Sequence, residues 1–285
     1  MTSVSVVGLG PMGQALSAAL LDAGHRTTVW NRTESKADAL RARGAYWAGS
    51  PADAVSAGDL TLMNVVDHDA VDALLEAAGS SVEGRDIVGL SSDTPDRARR
   101  TAKLVSDLGG RYIDGAIMTP TATIGTPSAS ILFAGPGDLF DAHREVFAAL
   151  GEATWLGDDH GRAASFDMSL LDVFWTSVSG FLHALVVAKA NGITPRELLP
   201  HARGIVDILP EIFDELAERV EYERHDDSSA PVSSTAASLR HLVAASRDAG
   251  VDAGVLEAFR GYVDAAVDSG HGADEVSRVA SSMTR

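Results

Sequence analysis

Apolar residues arrive in short runs over the first half of this chain and in long helical stripes over the second. The opening run, Val4 to Val7, stops at Gly8-Leu9-Gly10-Pro11-Met12-Gly13, and an alanine- and leucine-rich stretch follows to Gly24. A short apolar run, a glycine turn and a helical stripe predict strand, turn and helix. Further runs predict strands at 27–30, 59–66, 85–90, 112–116, 129–134 and 154–157, with amphipathic helices between them such as 95–108 and 140–150. This alternation predicts an α/β Rossmann-type N-terminal domain, a mostly parallel sheet covered on both faces. Ligands of such sheets lie beyond the carboxyl ends of the strands, which nominates Asn64, Val65, Val66, Ser91, Ser92 and the 118–125 loop as crevice lining.

The period changes after the polar turn Asp158-Asp159-His160-Gly161. From Arg162 to Asn191 there is no proline and little charge. As one helix this stretch is about 45 Å long. Asp167, Asp172, His183 and Lys189 interrupt it, which argues against a membrane span. A helix so apolar is expected to be buried on most faces. The simplest arrangement is a long interdomain helix that also packs on a partner chain. Asn191-Gly192-Ile193-Thr194-Pro195 reads as a helix stop, a cap and a proline at the next helix's first position. Helices at 196–208, 210–220, 233–249 and 255–268 then make an all-α C-terminal domain. The expected organisation is a cofactor domain at 1–160, the interdomain helix at 161–191, and a helical dimerisation and substrate domain at 192–285. The second half is too small to close a core around so apolar a spine, so a homodimer with interlocked helical domains is expected.

Composition narrows the function. At 285 residues the chain has room for two domains, and it contains no cysteine, so disulfides and cysteine ligands or nucleophiles are excluded. A formal charge of −17 excludes a nucleic-acid backbone as partner. Three residues before the first strand are too few for a signal-peptide n-region. A soluble cytoplasmic protein with no membrane association and no metal is the expectation.

The glycine turn carries the first chemistry. Gly8 permits a tight turn, Gly10 lets the backbone approach a pyrophosphate, and Gly13 lets the helix pack close to the strand. Pro11 and Met12 complete the turn with Leu9. The helix N-terminus offers free N–H groups to phosphates. At the end of the second strand an NAD-preferring fold places a carboxylate for the ribose 2′-OH. Here Asn31 is neutral, Arg32 follows, and Lys36 lies a turn on. Arg32 can pair with a 2′-phosphate, and Thr33 can cap the next helix and add a hydroxyl. The cofactor expected is NADPH.

Asp167 stands near the start of the long helix. Leu171, Phe174, Trp175 and Val178 share its face. One reading is a first-turn carboxylate that offsets the helix dipole. The other is a carboxyl in an apolar pocket, whose pKa burial raises so that it donates a proton. Asp172 and His183 lie on other faces and read as structural.

Together, GLGPMGQALSAALLDAGH, VWNRTESKA, Asp114 to Met118, Ala122 to Thr126 and the long helix resemble the β-hydroxyacid dehydrogenase superfamily over essentially the whole chain. Within it the sequence resembles the NADPH-dependent imine reductases of the aspartate type. Hydroxyacid dehydrogenases of this superfamily use a lysine near the start of the interdomain helix, whereas this chain has none between Lys103 and Lys189. His160-Gly161-x-Ala163-x-x-Phe166-Asp167 matches the imine reductase pattern, and the resemblance makes Asp167 the catalytic residue, with Trp175 lining its pocket. Ser269-Gly270-His271-Gly272 fits the C-terminal motif. Met118, Leu171, Phe174 and His241 are the further pocket residues expected. Ser92 stands where some members carry an asparagine that helps hold the amine, and Asp93 stands where glycine is frequent, so the resemblance leaves recognition of an amine partner, and with it reductive amination, open. The implied activity is hydride transfer from NADPH to the C=N bond of cyclic imines. The alternatives are a hydroxyacid or carbonyl dehydrogenase and a non-catalytic NADPH-binding scaffold.

Overall fold

The structure is a computed structural model that describes residues 2–284. It divides into two compact units, one ending at Phe174 and the other beginning at Trp175.

The first unit holds one eight-stranded sheet: β1 (Ser3–Val7), β2 (Arg26–Trp30), β3 (Tyr46–Trp47), β4 (Leu60–Met63), β5 (Asp86–Gly89), β6 (Arg111–Ile117), β7 (Ser130–Ala134) and β8 (Glu152–Trp155). Its order is β3-β2-β1-β4-β5-β6-β7-β8, parallel throughout except for β6 against β7. Helices α1 (Pro11–Asp22), α2 (Asp38–Ala42), α3 (Pro51–Ala57), α4 (His68–Ala78), α5 (Pro95–Asp107), α6 (Gly137–Ala142) and α7 (Arg144–Leu150) connect the strands. Successive strand residues point to opposite faces. Val6, Leu62, Val88 and Ile113 therefore pack with Leu16, Leu20, Phe140 and Phe147 on one side. Their neighbours Val7, Met63, Ile87 and Tyr112 pack with Val55, Val71, Leu75 and Val105 on the other. Burial on both faces explains why these strands read as continuous apolar runs rather than alternating ones.

Several boundaries differ from the sequence reading. The strand expected at 59–66 stops at Met63, because Asn64 and Val65 turn to bond the end of β5. The strand expected at 154–157 lies at Glu152–Trp155. The helix expected at 140–150 is two helices that meet at His143, whose Nε2 is 2.6 Å from Asp86 Oδ2. The two-residue strand β3 had not been expected, and helices α2 and α3 had been given no bounds.

Helix α8 (Gly161–Ala190) runs unbroken through both units. Its length and composition would let it cross a membrane. Its first turn is instead built onto the sheet, with Ala163 packed on Ala116 of β6 and Ala134 of β7. The expectation that α8 is buried on most faces fails within one chain: Leu170, Val173, Phe181, Leu182 and Val186 are exposed.

The second unit adds α9 (Pro195–Asp207), α10 (Leu209–Glu221), α11 (Val232–Asp248) and α12 (Gly254–Ala266). Thr194 and Glu197 cap α9 reciprocally, with Pro195 at its start. The core here is small: Val232, Ala236, Leu239, Val263, Ala266 and Val279. The Ser269-Gly270-His271-Gly272 motif is a turn. Gly270 takes φ +87°, the Gly272 carbonyl accepts the Ser233 N–H, and His271 Nδ1 lies 3.0 Å from Asp274. His183 bonds the Asp252 carbonyl at 3.1 Å, a packed side chain.

Candidate active site

Two glycines of the opening turn serve the fold and one leaves room. Gly8 has φ +100°, and a Cβ there would lie 2.2 Å from the Asn64 carbonyl oxygen. A Cβ on Gly13 would lie 1.9 Å from the Gly8 carbonyl oxygen. A Cβ on Gly10 would meet nothing within 4 Å among the described residues. Gly10 is the N-cap of α1, Pro11 follows at the first position, and the first turn carries no acidic residue. The result is an open concavity in front of a helix N-terminus, with Leu9 buried behind it and Met12 packed on the core. That shape and polarity fit a pyrophosphate.

Asn31 ties this turn to the end of β2. Its Oδ1 accepts the Leu9 N–H at 3.0 Å, and its Nδ2 donates to the Thr33 carbonyl at 3.1 Å. A carboxylate could accept but not donate here. Arg32 and Lys36 are exposed and form no salt bridge among the described residues. Thr33 precedes a 3₁₀ turn, Glu34–Ala37, but its side chain makes no capping bond. The expected Thr33 cap is therefore absent. Across the crevice, Asn64 Nδ2 donates to the Leu90 carbonyl at 2.7 Å and the Val65 N–H donates to Ser91 Oγ at 3.1 Å. Asn64 and the buried Ser91 thus clamp β4 to β5, while Val66 and Ser92 are exposed.

Asp167 is seven residues into α8, in its second turn, so an offset of the dipole from the first turn does not account for it. The local sequence explains its placement. Arg99 of α5 grips Asp159 through two bonds, at 2.9 and 2.8 Å, just before α8. A Cβ on Gly161 would sit 2.5 Å from Arg99 Cζ, so the guanidinium covers a residue with no side chain. Ala163 then lets the helix press on β6 and β7. Asp167, a turn later, is only 3% exposed. Burial pushes its carboxyl above the usual range, and a hydrogen bond from the Ser92 hydroxyl partly opposes this. Asp93 turns away, accepting the Thr94 N–H at 2.6 Å and the His68 N–H at 3.4 Å.

Leu170 and Leu171, three and four residues beyond Asp167, line a cavity of about 350 Å³ with Phe174, with Ile117 at the end of β6 and with Met118, Thr119 and Pro120 of the loop that follows. A carboxyl thus shares a helix face with an apolar cavity. Met118, Leu171 and Phe174 come together as expected. Trp175 and His241 belong to the second unit, where both are exposed. Ile117, Thr119, Pro120 and Leu170 had been missed, though the loop that carries Thr119 and Pro120 had been marked. Asp114 was noted only as part of a motif. It is 2% exposed on β6, with Tyr112 Oη donating to its Oδ1 at 3.0 Å. The available signal was a carboxylate in the middle of an apolar strand.

Comparison with known proteins agrees over the whole length. Residues 3–157 match the family model for the NAD binding domain of 6-phosphogluconate dehydrogenase, and residues 159–285 match that for the NADPH-dependent reductive aminase-like C-terminal domain. An NADPH-dependent reductive aminase of Aspergillus oryzae is 30% identical over 278 residues, covering 96% of this chain and 94% of the relative. The structure of an imine reductase from Streptomyces aurantiacus is 37% identical, with a TM-score of 0.94 over 99% of this chain and 100% of that one. An imine reductase from Aspergillus terreus, in complex with NADPH4 and dibenz[c,e]azepine, is 34% identical with a TM-score of 0.90 over 98% of each chain.

Proposed function

The chain belongs to the family of NADPH-dependent imine reductases and reductive aminases, within the β-hydroxyacid dehydrogenase superfamily, and from that premise we propose how it works. It is an oxidoreductase that passes hydride from NADPH to the C=N bond of imines and iminium ions, giving amines. Cyclic imines are the preferred substrate class, in line with the dibenzazepine bound by the Aspergillus terreus relative.

The observation that carries the reading is the buried Asp167 beside an apolar cavity, in a stretch with no lysine. An iminium accepts hydride far better than a neutral imine. A lysine ammonium would repel that cation, whereas a carboxyl gives the nitrogen a proton and, once ionised, faces a positive charge. Ser92 orients the carboxyl through its hydrogen bond. Met118, Leu171 and Phe174 make the wall of the substrate pocket. Phe174 adds attraction for the cation through its ring face.

The Gly8–Gly13 turn fits the cofactor because it is open only at Gly10. Leu9, Pro11 and Met12 shape its wall, and the α1 N–H groups face the pyrophosphate. Arg32 binds the 2′-phosphate, supported by Asn31, Thr33 and Lys36. Asn64, Val65, Val66, Ser91 and Ser92 form the crevice toward the nicotinamide. When bound, NADPH supplies the hydride.

The reading includes residues 1–160 as the cofactor domain, 161–191 as the interdomain helix and 192–285 as the dimerisation and substrate domain. Phe181 of α8, with Leu199 and Ile205 of α9, lines an apolar cleft of about 580 Å³ in the helical unit. Apolar surface on this scale favours a second copy of the chain as its cover. The homodimer works in the cytoplasm; recovery of the enzyme from the membrane fraction of cells would contradict that location.

The test is NADPH consumption with a small cyclic imine, run beside Asp167→Asn and Asp167→Ala. The expected result is turnover by the wild type and a loss on the order of 10²–10⁴-fold in both variants with NADPH affinity kept. Turnover that survives the substitutions removes the proton-donor role. Tight NADPH binding without turnover across a panel of imines supports the scaffold. Oxidation of hydroxyacids with NADP⁺ supports the dehydrogenase.

A further inference from the structure

The fully buried His68 and the half-buried Asp72 and Arg97 stand close to the cofactor crevice and have no part in the function proposed above. They belong to a series of bonds that joins two segments, 64–72 and 90–101. The first bonds are those from Asn64 to the Leu90 carbonyl and from the Val65 N–H to Ser91. The next is at Asp93, whose Oδ2 accepts the His68 N–H at 3.4 Å while its Oδ1 accepts the Thr94 N–H at 2.6 Å. Arg97 follows, in the first turn of α5. Its Nη2 donates to Asp69 and, at 3.1 Å, to Asp72, both on α4, and its Nε stands 4.0 Å from Asp93 Oδ2. Thr101 ends the series, with Oγ1 at 2.6 Å from Asp72 Oδ1 and 2.8 Å from His68 Nδ1. The His68 Nε2 lies 3.9 Å from Asp114 Oδ1 on β6.

Sequence spacing makes the series possible. Arg97 and Thr101 are four apart and share one face of α5, and His68 and Asp72 are four apart and share one face of α4. Arg97 is the centre of the charges. Asp69, Asp72 and Asp93 repel one another, and that repulsion works to part the two segments. A guanidinium carries a fixed charge on forked donors and draws several carboxylates together at once. The side chains of Arg97, Asp72 and Asp93 are 17%, 22% and 23% exposed, so water screens them less than a surface pair. Removing the cation leaves these carboxylates without their shared partner, which costs more than the loss of an exposed ion pair.

Both segments begin with residues of the site. Val65 and Val66 follow β4, with Val66 83% exposed, and Ser92, which bonds Asp167, follows β5. In the sheet order β1 has β2 on one side and β4, then β5, on the other. With the pyrophosphate at the turn after β1 and the 2′-phosphate at Arg32 after β2, the nicotinamide half of the cofactor falls to the β4–β5 side.

We propose that Arg97 is a positioning residue for the nicotinamide: by drawing Asp69, Asp72 and Asp93 together, it holds the Val65–Val66 loop and the Ser91–Ser92 loop at the spacing the ring needs. This rests on the cofactor reading above. Arg97 acts through the two loops. Walls already held apart at the right distance need no ordering when the ligand arrives, which strengthens binding at that end of the cofactor and leaves the other end unchanged.

The experiment titrates NADPH and 2′,5′-ADP against the wild type, Arg97→Ala and Arg97→Lys, and records the emission of bound NADPH. The second ligand has the adenosine and the 2′-phosphate but no nicotinamide. Arg97→Ala is expected to weaken NADPH by roughly tenfold and to leave 2′,5′-ADP within about twofold of the wild type. The emission of its bound NADPH is expected to move toward that of NADPH in water. Arg97→Lys keeps the charge without the fork and is expected to fall between the two proteins on each measure. Equal weakening of both ligands is the signature of a general structural role and overturns the proposal. An Arg97→Ala protein whose NADPH affinity and emission match the wild type overturns it as well. If Arg97→Ala does not fold, Arg97→Lys decides by the same split between the ligands. The wild type tests the reading beneath: if it binds 2′,5′-ADP but leaves NADPH emission as it is in water, the nicotinamide does not enter the crevice. The cofactor reading then fails before any variant is compared.

Discussion

The opening turn separates two jobs that one motif combines. Gly8→Ala and Gly10→Ala are both additions of one methyl group, yet the expected effects differ in kind. At Gly8 the backbone has φ +100°, a region that costs an L side chain ~1–2 kcal/mol. The new Cβ would also lie 2.2 Å from the Asn64 carbonyl oxygen and 2.8 Å from Val65 Cγ1. Relief requires the end of β4 to retreat by about 1 Å, an overpacking cost of ~1–3 kcal/mol. The retreat strains the Asn64–Leu90 and Val65–Ser91 bonds that clamp β4 to β5. The total, roughly 2–5 kcal/mol, is a large share of the ~5–15 kcal/mol of a typical domain. At Gly10 the backbone is ordinary, φ −66°, and nothing lies within 4 Å of a new Cβ among the described residues. Loss of a good N-cap and gain in chain stiffness roughly cancel, so stability is expected to stay within about 1 kcal/mol. The methyl group fills the space left for pyrophosphate, and NADPH affinity is expected to drop by about a hundredfold or more, ~3 kcal/mol. Urea unfolding and NADPH fluorescence titration read the two effects separately. A Gly10→Ala protein that binds NADPH like the wild type refutes the cradle. A Gly8→Ala protein of unchanged stability refutes the steric account.

Arg32→Ala is expected to weaken NADPH much more than NADH in direct titrations, and equal weakening means Arg32 does not meet the 2′-phosphate. Leu199→Glu or Ile205→Glu places a charge in the apolar cleft of the helical unit. Sedimentation is expected to show a dimer for the wild type and dissociation for these variants; a stable, active wild-type monomer contradicts the covered face. Asp114 also makes stability depend on pH. The unfolded carboxyl loses its proton near pH 4 and the folded one near 8, so between them the folded state binds more protons and stability falls as pH rises, by up to about 1.4 kcal/mol per unit. Asp114→Asn lacks this slope and is expected to gain on the wild type by a few kcal/mol from pH 4 to 8 in chemical unfolding; parallel curves would show that Asp114 ionises normally.

Much of this was written locally. Strands buried on both faces announce themselves as apolar runs, and a glycine turn between strand and helix needs only its own residues to be recognised. Asn31 followed by Arg32 was legible because the fold puts the end of the second strand in a known place. The absence of lysine from the start of α8 needed no structure either. The misreadings arose where a distant partner acts on a short segment. Asn64 and Val65 look like more strand until β5 arrives to bond them. His143 breaks a helix that its sequence would continue, while its ring bonds Asp86. Thr33 has the chemistry of a cap and stands before a 3₁₀ turn, yet its side chain makes no capping bond.

The sequence alone determined the sheet and the dinucleotide turn, because each depends on residue type and spacing within some twenty positions, and it nominated Asp167 through the resemblance of its segment to the imine reductases. The burial of Asp167, its bond with Ser92, the cavity along its helix face and the neighbouring Asp114 with Tyr112 and His68 were decided only in three dimensions. These residues lie on four different elements, and the pKa of a carboxyl is set by the water it loses and the charges it meets, neither of which is written in the residues beside it.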